Sequence, residues 1–429
     1  MSMISNKHIS KIVHGVKSEE GKTLIGKFIS LVIMKLVSFA LPLVTLPYLA
    51  NVLGADMFGA IAYASAIMVI VETITNWGFE YTATRDVAVN RENVTIISRI
   101  YFQVFYTRIA LAMICLLLLW IAIQTIYSLK QYQVLLYFTF LYIPGNILFP
   151  SWFFQAMERM KYITVLDVLS KLIFTGLIFI VIKSQADYVY QPLLNACGYI
   201  VSGIIAQIII FGQFHLQFIK PDLKACFNRL RKSTDMFISL ILPNLYTNFS
   251  TILLRVTCGE FATGVYSGGQ RFQTIIDQMT QVLSRTFFPF LARHKDKHHI
   301  YVAISGCIAV IASLSMFFLA DWFVSVFLTP EFKDAIYVMK ILSVTPFFLF
   351  LMNTYGTNYL VIIGKENILR NIIIVVSLLG FILTWLITPK YSYIGVATTI
   401  TIVWGIRGCL TFLWAKKEQK KILGGQEIK

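Results

Sequence analysis

QVFYTRIALAMICLLLLWIAIQTI, residues 103–126, carries a single charge, Arg108, over a length sufficient to cross a bilayer; about 20 predominantly apolar residues are enough. Twelve such runs occur, near residues 28–50, 57–79, 103–126, 134–154, 163–183, 189–213, 235–256, 261–288, 300–327, 338–361, 371–389 and 393–415. The chain is 57% hydrophobic and 14% charged, against about 25% charged in ordinary soluble domains. The expected class is therefore all-α and polytopic, with twelve transmembrane helices.

Lysine and arginine test that count, because cytoplasmic loops of membrane proteins collect them. With the N-terminus inside, 25 of the 37 basic residues fall in inner segments and five, Lys130, Lys183, Arg255, Lys333 and Lys390, in outer ones. A miscounted span would invert every later loop and destroy this bias. Both termini are expected in the cytoplasm. The net charge of +16 then reflects short loops beside a membrane, where it meets anionic lipid, and nucleic acid is not an expected partner. Trp77, Trp120, Trp152, Trp322, Trp385 and Trp414 lie near span ends, as an interfacial belt requires.

The first 27 residues are mostly polar, and the run that follows is too long for a signal-peptide core, so no cleavage is expected. The six cysteines show no paired CxxC spacing and no disulfide framework. His294, His298 and His299 cluster outside the spans, where a solvated loop is a better reading than a metal site. No metal, cofactor or catalytic residue is expected.

The chain also repeats itself. Phe28-Ile29-Ser30-Leu31-Val32-Ile33 opens span 1, and Phe237-Ile238-Ser239-Leu240-Ile241-Leu242 opens span 7. Gly54 and Gly59 at the entry to span 2 recur as Gly259 and Gly264 at the entry to span 8. Prolines follow the pairing, Pro42 and Pro47 against Pro243, and Pro144 and Pro150 against Pro346. Both halves begin inside, so the repeat is parallel. The expected organisation is a cytoplasmic segment 1–27, an N-lobe of six helices 28–213, a basic linker 214–234, a C-lobe of six helices 235–415 and a basic tail 416–429.

Eight ionisable side chains lie within spans: Lys35, Glu72, Arg108, Asp167, Lys171, Arg271, Asp277 and Arg407. A charge at a helix centre costs about 2.5–3.5 kcal/mol on insertion scales, so it faces protein or a wet cavity. Span 8 carries Gln270, Gln273, Asp277, Gln281 and Ser284 at steps of three and four, a continuous polar face. Span 7 adds Asn244, Thr247, Asn248 and Thr251, span 1 offers Lys35, Ser38, Pro42 and Thr45, and span 2 offers Ser65, Glu72 and Asn76. These faces predict a central cavity lined by spans 1, 2, 7 and 8, with Lys35, Arg271, Arg407, Gln270, Gln273, Asn244 and Asn248 on its wall. Glu72 and Asp277, related by the repeat, are candidate ion-coupling acids, the alternative being simple neutralisation of Lys35 or Arg271. Asp167 and Lys171 are i,i+4 neighbours and read as a structural ion pair. Arg108, near a span end, is expected to snorkel. Five positive and three negative charges favour an anionic substrate over an organic cation.

The run Pro47-Tyr48-Leu49-Ala50-Asn51-Val52-Leu53-Gly54 with Phe58-Gly59, then Gly78-Phe79 with Thr82, Arg85, Ala88 and Arg91, resembles the start of the Wzx-type O-antigen flippases. Pro150, Trp152, Gln155, Glu158 and Met160, and later Phe288-Pro289 with Leu291, fit the same pattern. The resemblance covers nearly the whole chain. It implies the multidrug/oligosaccharidyl-lipid/polysaccharide exporter fold and a substrate, an anionic undecaprenyl-pyrophosphate-linked oligosaccharide moved across the bacterial inner membrane. Partners would then be the membrane and other polysaccharide-assembly membrane proteins. Gly54, Gly59, Arg85, Arg91 and Glu158 carry family motifs and suit an inner gate or folding role. A cation or drug antiporter of the same superfamily would want an acidic cavity. A peptidoglycan-precursor flippase typically has fourteen helices, and a membrane polymerase or glycosyltransferase needs a larger outer loop or a soluble domain.

Overall fold

A computed structural model describes residues 19–293 and 297–426, and no strand occurs among them. Most of the expected cytoplasmic segment 1–27, part of the 293–297 loop, with His294, and the end of the tail lie outside the described residues. The main helices are α1 (Glu19–Asn76), α2 (Phe79–Val89), α3 (Val94–Thr125), α4 (Gln133–Phe140), α5 (Tyr142–Leu148), α6 (Met160–Val181), α7 (Tyr190–Phe214), α8 (Leu223–Arg293), α9 (His298–Phe318), α10 (Ala335–Leu342) and α11 (Glu366–Gln426). Among the described residues, nine helical stretches are long and apolar enough to cross a membrane by length and composition.

Three of those stretches are far longer than one crossing needs, and each contains a single non-helical residue. Gly54 in α1 has φ 68° and ψ 179°, Gly259 in α8 has φ 87° and ψ −179°, and Ser392 in α11 has φ 52° and ψ −137°. The two glycines occupy a backbone region that is essentially closed to residues with a Cβ. Hydropathy leaves residues 51–56 outside any span, whereas the helix runs up to Gly54 and resumes at Ala55. Gly54 and Gly259, which the sequence repeat pairs, therefore share one geometry.

These joints bring the halves of the chain together. A Cβ on Gly59 would lie 1.9 Å from the carbonyl oxygen of Glu260, and one on Gly264 would lie 1.9 Å from that of Ala55. The second arms of α1 and α8 thus cross backbone to backbone, a contact only glycine permits. Around the crossing, Leu46, Ala50, Ala55 and Phe58 of α1 pack into the core of the C-terminal half, while Leu49, Leu53, Ala60 and Ile61 pack into that of the N-terminal half.

Candidate functional site between the halves

Near the glycine joints, polar contacts tie one half to the other. The amide of Ala55, unsatisfied at the start of a helical arm, donates to Glu331 Oε2 at 3.0 Å. Glu260, just after the other joint, accepts from Tyr132 and from Arg255, which pairs with it at 2.9 Å. The Arg255 guanidinium also lies 4.5 Å from the centre of the Tyr132 ring, and Phe58 meets Phe332 edge to face at 5.6 Å.

A second set of contacts closes the seam between the second arm of α1 and the first arm of α8. Asn244 donates to Thr73 Oγ1 at 2.9 Å. Trp77 stacks on Phe237 with centroids 3.9 Å apart, and its indole N–H donates to the carbonyl of Leu230. Asn248 bonds Asn244 at 2.6 Å. Two asparagines expected on a cavity wall are thus spent holding this seam.

On the opposite seam, between the first arm of α1 and the second arm of α8, lies a cavity of about 180 Å³. Its polar wall is Ser38 and Thr45 of α1, Lys171 of α6, Gln191 of α7, and Arg271, Thr274 and Gln278 of α8, with Phe58 and Phe174 beside them. Spans 1, 2, 5, 6 and 8 make this wall, rather than 1, 2, 7 and 8. Arg271 is exposed to the cavity, lies 5.7 Å from the Phe58 ring centre, and forms no ion pair among the described residues. Lys171 Nζ lies 3.2 Å from Asp167 and donates to Ser38 Oγ at 2.5 Å, while Ser38 donates to Asp167 at 2.6 Å. The pair read as structural therefore also presents a cation to the cavity.

The polar face of α8 is turned from the one expected. Arg271, Thr274 and Gln278 face the cavity, whereas Gln273 and Ser284 are buried and Gln270 is half-buried. Ser284 accepts from Asn358, which is 1% exposed and also donates to Tyr301 at 2.9 Å. Asn358 sits in a π-helical turn, Met352–Val361, a helical irregularity frequent at functional sites. Among the described residues Asp277 bonds only Gln281, at 3.4 Å, with Arg407 close enough to act on it electrostatically. Arg407 is half-buried and off the cavity wall. The side chain of Lys35 lies outside the described residues.

Glu72 is in a different setting. It accepts from Asn146 at 3.0 Å and Tyr142 at 3.3 Å, and Asn146 in turn accepts from Arg108 at 2.5 Å. Arg108 is 3% exposed, so it does not snorkel; it reaches inward to this cluster. Asn146 and Tyr142 were not singled out from sequence, since a lone amide or phenol in an apolar span carries no periodic signal. Thr274 and Gln278 were readable, at i+3 and i+7 from Arg271, but competed with a second polar stripe.

Of the motif residues, Gly54 is a joint and Gly59 lies at the crossing, whereas Arg85, Arg91 and Glu158 lie at the other end of the second arm of α1. Arg91 pairs with Glu158 at 2.7 Å, Glu158 having φ 57°. Arg85 is exposed and lies 3.5 Å from Asp86, whose other oxygen binds Arg229 of the linker at 2.9 Å.

Residues 24–295 match the family described as polysaccharide biosynthesis protein. An Escherichia coli (strain K12) protein named "Putative O-antigen transporter" is 25% identical over 371 residues, covering 85% of this chain and 89% of that protein. Among solved structures, the lipid II flippase MurJ in an inward closed conformation superposes with a TM-score of 0.72 at 14% identity, covering 90% of this chain and 87% of that one. An inward-facing multidrug resistance MATE family transporter of the MOP superfamily gives 0.67 at 12% identity, covering 92% and 96%.

Proposed function

The chain belongs to the polysaccharide biosynthesis protein family, and we propose that it flips an undecaprenyl-pyrophosphate-linked oligosaccharide, an O-antigen or similar repeat unit, from the cytoplasmic to the periplasmic leaflet of a bacterial inner membrane. The observation that carries this reading is the cavity between the halves, whose wall holds two cations, Lys171 and Arg271, and among the described residues no lining carboxylate, Asp167 standing behind Lys171 as its partner. A pyrophosphate headgroup is anionic and polar. It needs such a wall, while its lipid tail stays in the bilayer.

In this reading the three long helices fold back at Gly54, Gly259 and Ser392, giving twelve crossings in two repeated lobes with both termini cytoplasmic. The lobes rock about the glycine crossing in alternating access. Contacts of Ala55, Tyr132 and Arg255 close the outer end, and the cavity receives substrate from the inner one. Lys35, by its spacing from Ser38 and Pro42, adds a third cation. In this reading the energy comes from an ion gradient rather than from the membrane potential alone or from product removal, with Asp277 as the acid best placed to couple it. Among the described residues its only hydrogen-bond partner is a glutamine, whereas Glu72 is held by Asn146 and Tyr142. An antiporter for cationic drugs, which the MATE-like fold would also suit, is disfavoured by the sign of the cavity.

Arg271→Ala combined with Lys171→Ala, at normal membrane levels, is expected to slow flipping about a hundredfold or more, since each of the two charged hydrogen bonds lost is worth about 1.5–3 kcal/mol. The measurement is accumulation of lipid-linked oligosaccharide in the cytoplasmic leaflet. Unchanged flipping would remove the cationic-cavity assignment.

A further inference from the structure

The segment joining the halves carries a second basic recess, remote from the central cavity. Two adjoining hollows of about 360 and 340 Å³ run between the start of α8 and α3, sharing Arg99, Gln103 and Ala225 as walls. Arg229 and Lys232 line one, and Lys220 lines the other. Two acids, Asp86 and Asp222, also line the hollows, against four basic residues, and both have partners. Asp86 holds Arg229, and Asp222 caps the helix by accepting from the amides of Lys224 and Ala225 at 3.0 and 3.1 Å. Arg99, Lys220 and Lys232 are exposed and form no ion pair among the described residues.

The same segment exposes large apolar side chains. Phe218, Leu223 and Phe227 are 73%, 84% and 66% exposed, and the last two are one helical turn apart. Free cations beside exposed aromatic and aliphatic groups fit the boundary between headgroups and acyl chains. A soluble anion would satisfy the cations and leave the apolar groups in water.

We propose that this recess binds the phosphate headgroup of an anionic phospholipid, with Arg99, Lys220 and Lys232 as its ligands and Phe218, Leu223 and Phe227 anchoring the segment among the chains. The segment is docked on the N-terminal half through Arg229, whose Nε also donates to Gln103 at 3.0 Å, and through Tyr106, which donates to the Ile219 carbonyl at 3.0 Å. A lipid seated there bridges the segment to α3, so it stabilises one placement of the connection between halves. The assignment to the cytoplasmic leaflet rests on the orientation proposed above; the site itself does not.

The test uses the full chain in phosphatidylcholine vesicles containing spin-labelled phosphatidylglycerol, reading the immobilised lipid fraction, which is independent of transport. Arg99→Gln with Lys232→Gln is expected to weaken selective immobilisation about tenfold or more, at roughly 1 kcal/mol per basic residue near a charged surface. Arg159→Gln with Lys161→Gln removes equal charge elsewhere and should change nothing. Lys220→Gln alone gives a smaller loss and serves if the double variant elutes aggregated from gel filtration. Wild-type selectivity in the groove variants, an equal loss in the control pair, or displacement of the labelled lipid by inorganic phosphate would each overturn the proposal.

Discussion

The two halves share a joint and differ in what they bury. Each places a glycine of the same backbone conformation before the arm that crosses its counterpart, at Gly54 and Gly259. Behind that joint the N-terminal half buries an ionic network, Glu72–Asn146–Arg108, closed by Tyr142. The C-terminal half buries a neutral one, Ser284–Asn358–Tyr301, and among the described residues leaves Asp277 with a single long hydrogen bond. Two halves with the same joint geometry thus carry different interior chemistry. A buried charge held by several partners is a structural element, and one with few partners is free to exchange a proton or an ion.

The strongest test of the similarity is at the crossing. Gly59→Ala and Gly264→Ala each put a methyl group 1.9 Å from a backbone oxygen, and each should cost more than about 4 kcal/mol. Loss of folded protein on gel filtration in detergent is the expected result for both; if only one is damaged, the shared joint does not do the same work in each half. The difference between interiors is tested next. Arg108→Met strands Glu72 without its cation and should cost about 3–5 kcal/mol, against about 1–3 kcal/mol for Asn358→Ala in the neutral network. Equal falls in thermal midpoint would erase the distinction. The smallest effect on stability, and the most informative for function, belongs to the acids. Asp277→Asn should change stability by less than about 1 kcal/mol yet abolish the dependence of flipping on an imposed ion gradient, while Glu72→Gln should do the reverse. Gradient dependence surviving in Asp277→Asn would move the coupling site elsewhere.

Hydropathy and the equal spacing of Gly54 from Gly259 and of Gly59 from Gly264 made the helical class and both glycine pairs legible, because apolar runs and repeated spacings can be read without knowing the packing. The wall of the cavity was legible only in part. Ser38, Thr45 and Arg271 stood out as polar residues in apolar spans, but α8 carries two polar stripes, and only packing decides that 271, 274 and 278 face the hollow. Lys171 satisfied its neighbour Asp167 so plausibly that its second exposure was invisible. Tyr132 and Glu331, which bind across the halves, lie in short connections where nothing in sequence points to a partner more than a hundred residues away. Arg108 misled for a physical reason: depth along a helix says how far a guanidinium must reach for water, not whether an asparagine lies closer.

The single-residue joints also set how motion is amplified. From Gly54 to Asn76 the arm of α1 is continuous helix, about 33 Å at about 1.5 Å per residue. With only one pair of torsions between two stiff rods, there is no loop to absorb a change in angle. A swing of about 10° at the glycine displaces the far end by about 6 Å, roughly half a helix diameter. A small change of angle at the glycine would thereby become a large displacement at the far end of the arm.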